Sequence, residues 1–175
     1  MEVAKVPLVL LSLISYVVAL IFLVNLVYAS DNTIAIQTKG TSTSISIDQS
    51  GTSNTTTVWC GLSGGTYATH SCSNATMTID QHGTSNTARA YSQLTNHNDN
   101  VYTINQNGNS NNGYIDLDDD DNIASITQTG NSNTGIIYMR GDDNIYTITQ
   151  TGNSFYAKMY AFGDDSAWAI TQSGT

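Results

Sequence analysis

A short motif recurs six times in this chain, and no other feature narrows the fold as far. Ile-x-Gln-x-Gly occurs at Ile47/Gln49/Gly51, Ile79/Gln81/Gly83, Ile104/Gln106/Gly108, Ile126/Gln128/Gly130, Ile148/Gln150/Gly152 and Ile170/Gln172/Gly174. Successive glutamines lie 32, 25, 22, 22 and 22 residues apart. A settled period of that length marks an array whose units each pack only on their neighbours. Within one unit, apolar and amide residues alternate with hydroxyl residues from Asn122 to Gln128, and a period of two predicts a strand. Thr129-Gly130-Asn131-Ser132 then reads as a tight turn, Asn133–Met139 as a second strand, and Arg140-Gly141-Asp142-Asp143 as a second turn. The expected fold is all-β, a β-solenoid-like stack of strand-turn-strand repeats.

If each unit forms one layer, equivalent side chains meet in columns about 4.8 Å apart. The inward set of the first strand is the Ile column, the Gln column, and Ile45/Met77/Tyr102/Ala124/Tyr146/Trp168. The second strand contributes Asn54, Asn86, Asn111 and Asn133 with Phe155, then Thr56/Ala88/Gly113/Gly135/Ala157, Val58/Ala90/Ile115/Ile137/Met159 and Cys60/Ser92/Leu117/Met139/Ala161. A lone buried amide is costly, but a stacked one donates to one layer and accepts from the other. Parity with the Ile column puts these amides inside rather than on a solvated face.

Residues 1–29 read as a secretory signal, with Lys5 ahead of an apolar run and Val27-Tyr28-Ala29 as the cleavage site; an uncleaved anchor is the alternative. An N-terminal segment at 30–42 precedes repeats over 43–175, divided at about 43–74, 75–99, 100–121, 122–143, 144–165 and a half repeat at 166–175. Past residue 29 there is no proline and no glutamate, since Pro7 and Glu2 are the only ones. Every backbone N–H is then free to join a ladder. A net charge of -9 excludes a basic nucleic-acid binder. Cys60 and Cys72, the only cysteines, read as a disulfide of an exported protein. No cap is evident after Gln172, so the terminal layers are expected to offer open strand edges to another copy.

The run Asn/Ser-x3-Ile-x-Gln-x-Gly-x2-Asn-x-Ala/Gly, as from Asn100 to Gly113 and from Asn122 to Gly135, closely resembles the curlin repeat of bacterial curli fibres, over about residues 43–175. The resemblance implies an extracellular functional amyloid of biofilm matrix and surface adhesion. It also implies the partners: copies of the same chain, a nucleator or companion subunit, and a dedicated secretion pore with accessory factors. Departures are visible. The second glutamine of the curlin unit is replaced by Cys60, Ser92, Leu117, Met139 and Ala161, and the first repeat carries an inserted loop, Gly61–Asn74.

Three further features carry competing readings. Asp118, Asp119, Asp120 and Asp121, with Asp142, Asp143, Asp164 and Asp165, fall in the same turn of successive repeats. They read as gatekeepers against premature aggregation, as a cation column, or as a solvated turn. Outward Thr103, Ser125, Thr127, Thr147 and Thr149 give a second reading of the whole chain, a monomeric ice-binding solenoid, against which Asp48 and Asp80 interrupt the array. Trp59, Tyr91, Tyr138 and Tyr160 form an outward aromatic column broken by Asp116. Neither catalysis nor a cofactor is expected, because His70, His82 and His97 sit in or beside loops without a nucleophile or metal-ligand spacing.

Overall fold

The computed structural model describes residues 21–38, 41–59, 72–92 and 98–174, with the backbone alone over Ile21–Ser30. The described residues form thirteen strands and no helix. Odd-numbered strands make one sheet in the order β1(Ile21–Ser30), β3(Ser44–Thr52), β5(Thr76–Thr84), β7(Val101–Asn109), β9(Ile123–Thr129), β11(Ile145–Thr151), β13(Ala167–Ser173). Even-numbered strands make the other, β2(Thr33–Ile36), β4(Thr55–Val58), β6(Thr87–Tyr91), β8(Asn112–Leu117), β10(Thr134–Arg140), β12(Tyr156–Phe162). The chain thus crosses from one sheet to the other at each turn and climbs one layer per repeat, so the fold is a parallel β-solenoid.

Every pairing is parallel, and all are in register with respect to the repeat except β1 on β3, which shifts between Val27 and Ser30. Gln49 lies beside Gln81, then Gln106, Gln128, Gln150 and Gln172 in successive strands. A one-residue slip would turn every inward side chain out, so the alternation itself fixes this register. The core is the seam between the sheets, where Ile47, Ile79, Ile104, Ile126 and Ile148 face Val58, Ala90, Ile115 and Ile137 and all are buried. Tyr102 and Tyr146 flank Ala124 in one column, so two large rings close over one small side chain. The closeness of the sheets is set opposite the Gln and Ile columns: a Cβ at Gly113 would come within 2.9 Å of Ile104 Cγ2.

The longer first and second units do not disturb the ladder. Residues 60–71 and 93–97 lie outside the described residues, yet Trp59 N donates to Ala90 O and Thr76 N to Asn100 O as in shorter units. Cys72 is buried and disulfide-bonded; Cys60 lies outside the described residues.

One expectation is corrected at the end of the stack. Alternation alone puts Trp168 in the core column with Tyr146, but it is 63% exposed, because no layer among the described residues covers β13. At the other end, β1 and β2 add a layer ahead of the first expected repeat, with Thr33–Ile36 beside Thr55–Val58 and Ile21–Val27 beside Ser44–Ser50.

Candidate functional site: amide columns and stack ends

The glutamine column is continuous. Nε2 of each Gln donates to Oε1 of the next: Gln49 to Gln81 at 2.6 Å, Gln81 to Gln106 and Gln106 to Gln128 at 2.8 Å, Gln128 to Gln150 at 2.9 Å and Gln150 to Gln172 at 2.8 Å. The second hydrogen crosses to the facing sheet, from Gln106 to Thr87 O, Gln128 to Asn112 O, Gln150 to Thr134 O and Gln172 to Tyr156 O. One amide therefore binds two layers and two sheets. Glutamine suits this site because its carbonyl and its two N–H groups can all be used at once.

Asparagines do the equivalent work on the backbone. Oδ1 of Asn32, Asn54, Asn86, Asn111 and Asn133 accepts the main-chain N–H of the next layer at 2.8–3.0 Å, ending at Phe155 N. Their Nδ2 groups reach forward to the motif glycines, from Asn86 to Gly108 O, Asn111 to Gly130 O and Asn133 to Gly152 O, each at 2.8 Å. A second buried column, Asn100, Asn122 and Asn144, is arranged alike at the opposite turn: Asn122 N donates to Asn100 Oδ1 at 2.7 Å and Asn144 N to Asn122 Oδ1 at 3.1 Å. Sequence reasoning left these three out of the site, although each stands four residues before a motif isoleucine.

The motif glycine is demanded by contact as much as by conformation. Gly130 has φ +114, and a Cβ there would lie 2.0 Å from Gly152 O. The same clash recurs along the column: a Cβ on Gly51 would lie 2.0 Å from Gly83 O, and one on Gly83 would lie 2.0 Å from Gly108 O. Neighbouring turns thus pile backbone on backbone, and no side chain larger than hydrogen fits between them.

The column departs from expectation over its first three members and at its last. By the repeat pattern Gly51 and Gly83 belong to the tight turn, yet both lie within strands, β3 and β5, as Gly108 does within β7. The reason is that pairing continues past the glutamine there, with Gly51 beside Gly83 and Gly83 beside Gly108. Gly51 and Gly83 are both half-buried, at the rim of the seam rather than inside it. Gly174, expected to act as the sixth member, is exposed just past β13. A Cβ there would meet only Phe155 Cζ, at an ordinary 3.5 Å, because no layer among the described residues stacks upon it. Its contribution to the column is its carbonyl oxygen, which would lie 2.0 Å from a Cβ on Gly152.

The acidic turns form a ladder too. Asp120 Oδ1 accepts from Asn98 N, Asp142 Oδ1 from Asp120 N and Asp164 Oδ1 from Asp142 N, at 2.6, 2.9 and 3.0 Å. Asp119 Oδ2 accepts from Gly141 N, and Asp118 Oδ2 takes Arg140 Nε at 2.7 Å. Each of these carboxylates is a backbone acceptor or an ion-pair partner of the layer beside it. Among the described residues no group of three or more His, Cys, Asp or Glu is placed to hold a metal ion.

On the outer face of the first sheet, Asp48, Asp80, Asn105, Thr127, Thr149 and Thr171 share one register position. His82 sits on a strand rather than in a loop, with Nε2 2.7 Å from Asp80 Oδ1 and Nδ1 against Ser50 Oγ. Burial raises the Asp80 carboxyl above the ordinary range, and His82 partly offsets this. On the second sheet the aromatic column is not broken. Tyr114 bridges the gap at Asp116, giving ring centroids 5.2 Å from Tyr91 to Tyr114, 5.1 Å on to Tyr138 and 4.7 Å to Tyr160. The Tyr114 hydroxyl donates to Asp116 Oδ2 at 3.1 Å, and Lys158 Nζ stands 4.7 Å from the Tyr160 ring centre.

Among the described residues the outer strands of the stack are paired on one side only. At one end β13 and β12 form the outer strands of their sheets, and at the other β1 and β2 do. Buried beside β1 and β2, Gln49 Oε1 and Asn32 Nδ2 have no hydrogen-bond partner.

Residues 120–152 match the family model described as the curlin associated repeat. The matched stretch runs from the acidic turn before β9 to the motif glycine after β11, and its columns continue through the layers on either side. No curated protein matches the chain, and no solved structure does.

Proposed function

We propose that this chain, which carries a curlin associated repeat, is the subunit of an extracellular amyloid fibre of the curli kind, serving biofilm matrix and surface adhesion. The observation that carries the reading is that, among the described residues, the glutamine and asparagine columns run without a break to outer strands that are paired on one side only. Exposed parallel edges with buried amide columns running into them are a template for the same edges of a second copy. Each added chain exchanges water contacts for a full set of backbone bonds, and it extends the Gln and Asn columns.

In this reading residues 1–29 are a signal removed on export, the fibre lies outside the cell, and a companion subunit nucleates growth after passage through a secretion pore. The ladder residues are those of the Gln, Asn, Ile and Gly columns, the Cys60–Cys72 bridge closes the inserted loop, and the aspartate turns slow premature assembly. The role is structural, with no catalytic step. The test is to incubate purified 30–175 and follow thioflavin fluorescence with electron microscopy. Fibres that seed fresh chain support the proposal. A soluble monomer that depresses the freezing point of water would instead support the ice-binding reading of the threonine face.

A further inference from the structure

The two ends of the stack are stepped, and the steps are complementary. In the first sheet β13 projects one strand beyond β12, so among the described residues the last layer holds a first strand without a second. At the opposite end β2 is the second strand of a layer whose first strand is β1, drawn from the segment read above as a removable signal. Without β1, that layer holds a second strand without a first.

We propose that adjoining copies share a composite layer, in which β13 of one copy takes the place of β1 beside β3 of the next, and β2 of that next copy lies on β12 of the first. This inference rests on the fibre reading and on loss of residues 1–29. Its support comes from two buried atoms at the same end that lack a partner. Gln49 Oε1 lacks a donor, while every later glutamine of the column accepts from the Nε2 before it. Gln172 Nε2 has one hydrogen on Tyr156 O and a second directed along the column. Set beside Gln49, it supplies the missing donor with the polarity of the column preserved.

Asn32 Nδ2 is the second orphan. Equivalent Nδ2 groups of Asn54 and Asn86 donate to the carbonyl four residues back, Ser50 O at 3.0 Å and His82 O at 3.1 Å. Ser173 stands at that register position in β13, so its carbonyl meets Asn32 in the composite layer. Asp31, with φ 65, has the backbone conformation of Ser132 at 59 and Ser154 at 61, so the start of β2 is already shaped as the exit of such a turn. In the present chain β1 holds the position that β13 must take, with Leu26 beside Gln49. Its removal opens the joint.

Cryo-electron microscopy of fibres grown from 30–175 tests this by counting layers per copy. A composite joint gives six layers, an advance of about 29 Å at about 4.8 Å per layer. Seven layers per copy would mean that the half layers abut without merging, which overturns the joint and leaves the fibre reading intact; absence of fibres overturns both. In seeded elongation, Gln172→Ala and Gln49→Ala should each slow growth by about tenfold, the effect of one buried group left unpaired. The double variant should be no slower than either single one. Additive losses would show that the two glutamines do not meet.

Discussion

The two turns of each layer perform one backbone task with different chemistry. After the first strand, Asn109 N donates to Asn131 Oδ1 and Asn131 N to Asn153 Oδ1. After the second strand, Asp120 N donates to Asp142 Oδ1 and Asp142 N to Asp164 Oδ1. Both turns bend through a positive φ, at Ser132 (59) and at Asp143 (58). The asparagine also donates, with Nδ2 of Asn131 3.1 Å from Asn153 Oδ1, whereas a carboxylate has no hydrogen to give and repels its copy in the next layer. One edge of the stack is therefore indifferent to acid, and the other opposes stacking unless it is neutralised.

The largest effect should come from what the turns share. Gly130→Ala brings Cβ to 2.0 Å from Gly152 O, and Gly141→Ala brings it to 2.3 Å from Gly163 O. Either change should cost about 3–5 kcal/mol and abolish fibres under conditions where the parent chain assembles, as thioflavin kinetics would record. Tolerance of Gly141→Ala alone would mean that the acidic turns stack more loosely than the amide turns. Next comes the seam between the sheets. Gln128→Ala with Gln150→Ala should destabilise by about 2–4 kcal/mol, since neighbouring buried amides lose their partners. Thr127→Ala with Thr149→Ala, on the outer face, should cost under about 1 kcal/mol. Urea melting of each variant ranks them, and the reverse order would mean that the faces are inverted.

Exchanging the turn chemistries should move assembly by about 1 kcal/mol in opposite directions at neutral pH and low salt. Asn131→Asp with Asn153→Asp slows growth, Asp142→Asn with Asp164→Asn quickens it, and both differences fade in acid and in high salt. Stopped growth assays at pH 7 and pH 3 read the effect; equal rates for all three chains would leave the carboxylate column without a role in assembly. The smallest effect belongs to single groups. Burial holds the Asp116 carboxyl above its ordinary value of 3.8, with the Asp118 charge adding to the shift. A raised carboxyl favours the stack when protonated, so this contribution is fully present below that ordinary value and is lost as pH rises through the raised one. Thermal melting should therefore show added stability on acidification through this range, and Asp116→Asn should reduce that dependence.

The middle of the molecule is legible from sequence because each constraint there is repeated. Ile126, Gln128, Gly130 and Asn133 each recur in nearly every unit, and a column needs only identity between copies to form. The second asparagine column was legible too, since Asn100, Asn122 and Asn144 each stand four residues before a motif isoleucine, but it lies beside the more conspicuous aspartates. What periodicity could not convey is found where a residue acts once. Tyr114 closes the gap left by Asp116 from a different register position, through ring size rather than pattern. Trp168 has the parity of the core and Gly174 the place of a motif glycine, but among the described residues neither has a layer above it, and parity says nothing of how many layers exist. The role of Asn32 was equally hidden, since β2 is a single four-residue strand with no motif glutamine attached to it.

The central claim is that each chain stacks on itself layer by layer, with unlike residue numbers meeting in one column. Solid-state NMR of fibres that mix 15N-labelled with 13C-labelled chains, alongside fibres labelled uniformly, tests it directly. The account predicts side-chain contacts from Gln106 to Gln128 and from Gln128 to Gln150 within one chain, surviving dilution into unlabelled material. Contacts of Gln128 with Gln128 of another copy would contradict it, because they would mean that each chain lies flat and the columns run between molecules.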